Sequence, residues 1–422
     1  MSSELSVLPD GWAYVPIQQL AQKNSVTYGV VQPGTAVVDG VPMIRVNNFR
    51  DGRVEITDLM QIDPAIEVKY SRTRLTGGEI LLTVVGSVGQ VAVVPLKLKG
   101  FNVARAVAVI HPVSTIEPEW IALCLRSPLS QHMLVSRANT TVQTTINLKD
   151  IRALPIPIPP REERKEIVTL LGALDDRIAL LRETNATLEA IAQAIFKSWF
   201  VDFDPVHAKA EGRLPEGMDE ATAALFPDGF EESELGLIPR GWVVLPFGDF
   251  VERESVGKKY DQKSSLPDGL VPILDQGKSG VIGFHNNAPG VKASLDDPVV
   301  VFANHTCYMR LISFDFSAIQ NVLPFRGKGV ETIWAFFATK DRVKFSEYKG
   351  HWPDFAIEKA VVPAESLTVA FKKLVDPLIR SIRKNEIQTE TLADLRDTLL
   401  PRLISGKLRL PECQNGIEET TA

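Results

Sequence analysis

Apolar spacing divides the chain into two kinds of segment, and each kind occurs twice. Leu171, Leu174, Ile178, Leu181, Asn185, Leu188, Ala192, Ile195 and Trp199 advance in alternating steps of three and four. This is the spacing of a helix that buries one stripe in a coiled coil. No proline interrupts it before Pro205, and roughly forty helical residues would span about 60 Å. Adding 204 (375 − 171) gives a second series with the same steps: Val375, Leu378, Ile382, Asn385, Thr389, Leu392, Arg396, Leu399 and Leu403. Two such helices can lie antiparallel and bury their stripes on each other, with asparagine in the stripe fixing the register. Pro377 and Pro401 predict a shorter uninterrupted helix in the second copy.

A globular region rich in β-branched residues, Gly and Pro precedes each helix. Leu8-Pro9-Asp10-Gly11-Trp12 opens one and Ile238-Pro239-Arg240-Gly241-Trp242 the other, 230 residues apart (242 − 12). Runs at 80–85 and 298–302 read as buried strands. The proline-rich run 155–160 reads as a stiff lead-in to the first helix. The expected fold is a pseudo-two-fold tandem repeat of α/β (α+β) domains with two long antiparallel helices. Its expected parts are 1–155, a helix in 156–203, an acidic connector at 204–236, 237–362, a helix in 363–410, and a tail at 411–422.

Composition adjusts this picture little. A chain of 422 residues suits two to three domains, and 45% hydrophobic residues suffice for real cores. No apolar run approaches the roughly 18 residues of a membrane span, and the N-terminus does not read as a signal peptide. Cys124, Cys307 and Cys413 lie far apart without zinc-site spacing. A reducing, cytoplasmic setting is expected. Net charge is −6, which argues against a nucleic-acid partner only until it is located. Residues 202–236 hold 10 acids and 2 bases (−8), and the last twelve residues add −3, leaving +5 elsewhere (−6 + 8 + 3).

Common catalytic signatures are missing from the sequence. The sole Pro-Pro pair, Pro159-Pro160, lies between Ile158 and Arg161, so it is not the Asn/Asp-Pro-Pro-aromatic loop that grips a flipped adenine. Gly277-Lys278-Ser279 ends like a phosphate loop, but Pro272 stands where its first glycine is required. Gly86-Ser-Val-Gly89 is too short for a dinucleotide fingerprint and reads as a turn between strands. The pairs Asp175/Asp176 and Asp296/Asp297 read as solvated faces. The expectation is a binder with no catalytic or metal site of its own.

Several polar, amide-bearing and basic clusters have the residue types that read base edges and hold phosphates. In the first region these are Arg45, Asn47, Asn48, Arg50, Arg53, Arg72, Arg74, Ser87, Arg137, Asn139, Thr140, Gln143 and Thr144. In the second they are Lys258, Lys259, Gln276, Lys278, Asn304, His305, Arg326, Lys328, Tyr348, Lys349 and His351. Each cluster taken alone favours a solvated loop. Their recurrence in both halves favours binding.

Four segments resemble the DNA-specificity subunits of type I restriction-modification systems. They are LPIPIPPREERKEI, AIFKSWFVDFDPVHAKAEG with its continuation through TAALFPDGFEESELGLIPRGW, GGEILLTVVGSVGQVAVV, and LRDTLLPRLISGKL. TVAFKKL departs from the Pro-Pro-x-x-Glu-Gln-type segment expected before the second helix. The resemblance implies two target-recognition domains, each reading one half of a split, asymmetric site in double-stranded DNA. It implies helices that set the spacer and dock two methyltransferase (modification) subunits, with Trp199, Phe200 and Phe203 as exposed anchors. Two motor-nuclease (restriction) subunits would complete the complex. S-adenosylmethionine, ATP and magnesium would bind those partners, and no cofactor would bind this chain. The competing expectation is a protein-binding scaffold whose repeat merely pairs with itself.

Overall fold

The computed structural model describes residues 7–138, 144–277, 280–347 and 349–410. Their contacts define two compact units. The first comprises residues 1–179 with 389–422, and the second residues 180–388. Each therefore holds one globular region and a segment of both long helices.

In the first unit, Pro9-Asp10-Gly11-Trp12 makes a turn closed by Trp12 N–H donating to the Pro9 carbonyl (3.1 Å). Gly11 takes φ +80°, the left-handed third position that only glycine fills cheaply. The chain enters strand Ala13–Pro16, which pairs antiparallel with Pro155–Ile158. The expected stiff lead-in is thus a strand. Its prolines alternate, so the N–H groups of Ile156 and Ile158 remain for a two-stranded ladder. A four-stranded sheet runs in the order Thr27–Tyr28, Val107–Ile110, Ile80–Thr83, Val91–Val93. A second sheet joins Met60–Ile62 antiparallel to Val41–Ile44, and that strand parallel to Asn102–Val103. Helix Pro118–Arg126 buries every residue from Trp120 to Leu125 against the core.

The second unit repeats this plan. Trp242 N–H closes on the Pro239 carbonyl (3.1 Å) with Gly241 at φ +80°. Val243–Pro246 pairs antiparallel with Lys359–Val362. The four-stranded order is Val251–Arg253, Val322–Gly327, Val299–Ala303, Met309–Ile312. The three-stranded sheet again has one antiparallel partner, Val281–His285, and one parallel partner, Ser317–Ala318, flanking Val271–Leu274. The acidic stretch expected as a connector contributes ordered pieces to this unit. These are helices Asp204–Ala210 and Glu220–Ala224 and the hairpin Phe230–Ser233/Gly236–Pro239.

The long helices are Arg161–Phe200 and Glu365–Ile404. The second runs through Pro377 and Pro401, so the expected interruptions do not occur. In the first unit Leu171 shares a core cluster with Leu400 and Leu403. In the second, Asn185 meets Asn385 and Phe196 meets Phe371. Rising numbers on one helix meet falling numbers on the other in each unit, so the pairing is antiparallel. Every seam position expected between Leu171 and Trp199 and between Val375 and Leu403 is buried or half-buried. Asn385 Nδ2 donates to Asn185 Oδ1 (2.8 Å), and Asn185 Nδ2 donates to the Ile382 carbonyl (3.2 Å). Both amides are thus occupied in the seam, and a shift by one turn would leave them unpaired.

Candidate nucleic-acid interface

The expected DNA-facing residues fall into distinct groups, and some have no free polar atoms to offer. In the first unit, strand Val41–Ile44 leads into a hairpin, Phe49–Arg50 paired with Arg53–Val54. Asp51 and Gly52 at its tip both take positive φ (50° and 77°), the Asp-Gly turn whose twist suits a two-residue hairpin. Asn47, Arg50 and Arg53 are exposed on and beside it. Arg50 pairs with Glu55 at 3.3 Å, and Arg53 pairs with Asp176 of the first long helix at 2.7 Å. Arg45 donates to the Asp58 carbonyl (3.2 Å). Asn48 is a correction. It is buried, its Oδ1 accepts the Arg45 N–H (2.9 Å) and its Nδ2 reaches the Thr57 carbonyl, so it caps the turn.

Arg72 is exposed, whereas Arg74 is committed to the buried carboxylate of Glu67 through two hydrogen bonds. Arg74 holds that carboxyl below the usual value near 4.5, with Asn102 assisting against the opposing effect of burial. Ser87 is exposed at the Gly86–Gly89 turn. Gly86 N–H donates to the Thr144 carbonyl (2.9 Å), so Ser87 and Thr144 share a place. Arg137 ends helix Pro128–Ser136. Asn139, Thr140 and Gln143 lie outside the described residues.

In the second unit Gln276, Asn304, His305 and the 349–352 loop come together. Gln276 Oε1 accepts the His305 N–H (2.9 Å), and its carbonyl accepts the Thr306 hydroxyl (2.7 Å). The Asn304 carbonyl accepts the His351 N–H, and its Oδ1 accepts the Trp352 N–H, both at 2.8 Å. Asn304 therefore ties two loops together. His351 is buried, with its ring nitrogens on the Glu347 carbonyl and Asp354. It is a correction to the expected DNA contact. Arg326 is another correction, held by Asp297, Glu254 and the Lys292 carbonyl. Lys349 is shared between Glu347 and Asp354. Lys258 sits 4.9 Å over the Tyr260 ring, and Lys259 and Lys328 are exposed. Lys278 and Tyr348 lie outside the described residues.

The anchors expected to be exposed are also corrected. Trp199 and Phe200 are only 7% and 4% exposed, inside an aromatic cluster with Trp242, Trp334, Phe337 and Phe371. Phe203 packs on Phe230 and Trp242, and Phe226 meets Trp199 edge-on at 5.3 Å. These rings fasten the acidic segment to the second core.

Sequence reasoning also missed the partners of Asp175. Its carboxylate lies between Arg126 (2.8 Å) and Arg396 (3.0 Å), and only 17% of the side chain is exposed. Burial alone would lower the Arg396 pKa, but hydrogen bonds to Asp397 and Asp175 raise it above the ordinary arginine value. The signal was present in the steps of the helix: Arg396 occupies a seam position, where a cation requires a carboxylate opposite.

Among known proteins, residues 9–190 match the family described as the type I restriction modification DNA specificity domain. The chain is 34% identical over 199 residues to the type I restriction enzyme EcoBI specificity subunit of Escherichia coli, covering 44% of this chain and 42% of that one. It is 25% identical over 379 residues to the HindI specificity subunit of Haemophilus influenzae, covering 74% and 82%. The solved S subunit of a type I restriction-modification system from M. genitalium shares the fold, with TM-score 0.50, 16% identity, and 96% of this chain and 99% of that one covered. Residues 9–190 thus resemble a DNA specificity domain. Over about three quarters of its length the chain is a relative of the specificity subunits of type I restriction-modification systems.

Proposed function

We propose that the chain is the DNA reader of a type I restriction-modification complex, each globular region recognising one half of a bipartite, asymmetric site. One observation carries this reading. Three sheets of the region matched as a DNA specificity domain, with two, four and three strands, occur again in the second unit in the same strand orders. Reading would be done by the exposed loop groups, chiefly Asn47, Arg50, Arg53, Arg72, Ser87, Lys258, Lys259 and Lys328, supported by His305 and Lys349. The paired helices would set the spacer and dock two methyltransferase subunits, with two motor-nuclease subunits completing the assembly. Methyl transfer would use S-adenosylmethionine on the former, and cleavage would use ATP and magnesium on the latter. No helix among the described residues is long and apolar enough to cross a membrane, which agrees with a cytoplasmic complex.

Mapping methylated adenines in a host that carries the complete complex tests this reading. The expected result is a single motif in two halves of different sequence around a fixed unspecified spacer. Binding of the complex to duplex DNA should also weaken steeply with salt, because neutralised phosphates release counterions. Binding that is equally weak on all duplexes and flat with salt would leave the protein-scaffold reading instead.

A further inference from the structure

We propose that Asp175 and Asp176 are positioning residues for DNA reading, holding the Phe49–Val54 hairpin of the first unit in its reading pose. This rests on the proposed reading of DNA by that unit, and it adds the means by which the long helices act on recognition.

The contacts form one continuous chain within the unit. Arg396 of the second long helix meets Asp175 of the first at 3.0 Å. Asp175 also meets Arg126, the last residue of helix Pro118–Arg126, at 2.8 Å. The Arg126 guanidinium lies under the hairpin tip, where a Cβ on Gly52 would come within 2.7 Å of its Nη1. The next residue, Arg53, returns to the long helix through Asp176 at 2.7 Å. Two adjacent carboxylates on one helix therefore hold the hairpin from both sides, one beneath the tip and one on its return strand. Below it lies an open cleft of about 440 Å³ lined by Val54, Val91, Val93, Gly172 and the two aspartates. Phe49 and Val54 seat the base of the hairpin on an apolar cluster with Ile44, Leu81 and Val94, while the tip beyond that base is oriented by directional ionic hydrogen bonds. The equivalent strands of the second unit end at Leu274 and begin again at Val281, against Ile44 and Met60 in the first, which places this device in the first unit's part of the target.

The test is the methylation motif in a host that carries the complete complex with this chain altered. Asp176→Asn, at an exposed position, should leave the protein folded. It should relax base choice in one half of the motif, raising methylation at single-mismatch sites there about tenfold, while the other half stays strict. Asp175→Asn should relax the same half, and Asp175→Glu should restore it. A loss of fold would lower methylation at every site without changing the motif, so relaxation confined to one half is not a stability effect. If Asp175→Asn does not accumulate, Asp176→Asn decides alone. An unchanged motif with Asp176→Asn, or relaxation spread over both halves, overturns the proposal. A wild-type complex with no two-part motif would instead sink the underlying reading of function.

Discussion

The two units share a topology but fasten their segments of the long helices by different chemistry. The first packs Ile167 and Leu171 with Leu400, Leu403 and Ile404 in a mainly aliphatic cluster whose aromatic members are Trp12 and Trp120, and adds Asp175 between Arg126 and Arg396. The second surrounds Phe371 with Phe196, Trp199, Phe200 and Phe337 at ring-centroid distances of 5.5–6.2 Å. The same contrast recurs where each three-stranded sheet receives its parallel strand. Asn102 pairs with Met43, and Ser317 pairs with Ile273 at the equivalent place. Asn102 gathers Glu67, Thr73 and the Tyr70 carbonyl, whereas Ser317 gathers His285 and the Gly290 N–H. A repeated backbone plan does not demand repeated side chains. It demands filled volume and satisfied polar groups at the same places.

Removing the aromatic centre should produce the largest effect. Phe371→Ala, at a fully buried position, should cost about 3–5 kcal/mol. The loss should appear as an early unfolding transition reported by tryptophan fluorescence, since Trp199, Trp242 and Trp334 lie in the same cluster. Hydrogen exchange in the first unit should change far less. Equal loosening of both units would mean that their cores are not separable in this way.

Asp175→Ala should come next, at about 1–3 kcal/mol, because it leaves two half-buried guanidinium groups facing each other. Its signature is local, with faster exchange in 118–126 and 49–54 and little change around Phe371. Asp175 is also where the sequence was least informative. The helical stripes were legible because a period of three and four persists for about eight turns, and the Asn185–Asn385 pair sits inside it. The paired turns at Gly11 and Gly241 were legible because only glycine tolerates that backbone. Which arginines remain available for DNA was not legible. Arg74, Arg326 and Arg396 look alike in the sequence, and each is committed by a carboxylate that folding brings from another element. Phe196 and Phe371 were missed because they broaden the two-position stripe into a wider buried face where helix meets globular core.

Glu67→Gln should destabilise the first unit by about 1–2 kcal/mol at neutral pH, since it weakens a charge-assisted pair at a buried site. The folded-state pKa of Glu67 is depressed, so its contribution is complete above the unfolded value near 4.5 and is lost as pH falls through the folded value. The gap in melting temperature between wild type and variant should therefore be constant above pH 5 and narrow below it. A gap that persists unchanged into acid would show that Glu67 acts by packing alone.

The smallest effect separates the two equivalent sites by their pH windows. His285 stacks on Tyr260 with centroids 4.2 Å apart and planes at 4°. Its Nδ1 accepts the Asn287 N–H at 3.1 Å, which requires that nitrogen to be unprotonated. Burial, followed by the nearby Lys258 charge, pushes the imidazole below its ordinary 6.5. In the window between that lowered value and 6.5 the unfolded chain binds the extra proton, so stability of the second unit should fall as pH drops through this range and then level off. The first unit's Glu67 contribution is intact over the same range and begins to fail only near 4.5. Hydrogen exchange compared at matched intrinsic rates should thus show the second unit loosening first on acidification. His285→Gln should show a constant penalty, because it lacks the Nδ1 acceptor, and should lose that early slope. If the early slope survives the substitution, another group titrates there, and the contrast between Asn102 and Ser317 is one of shape rather than charge.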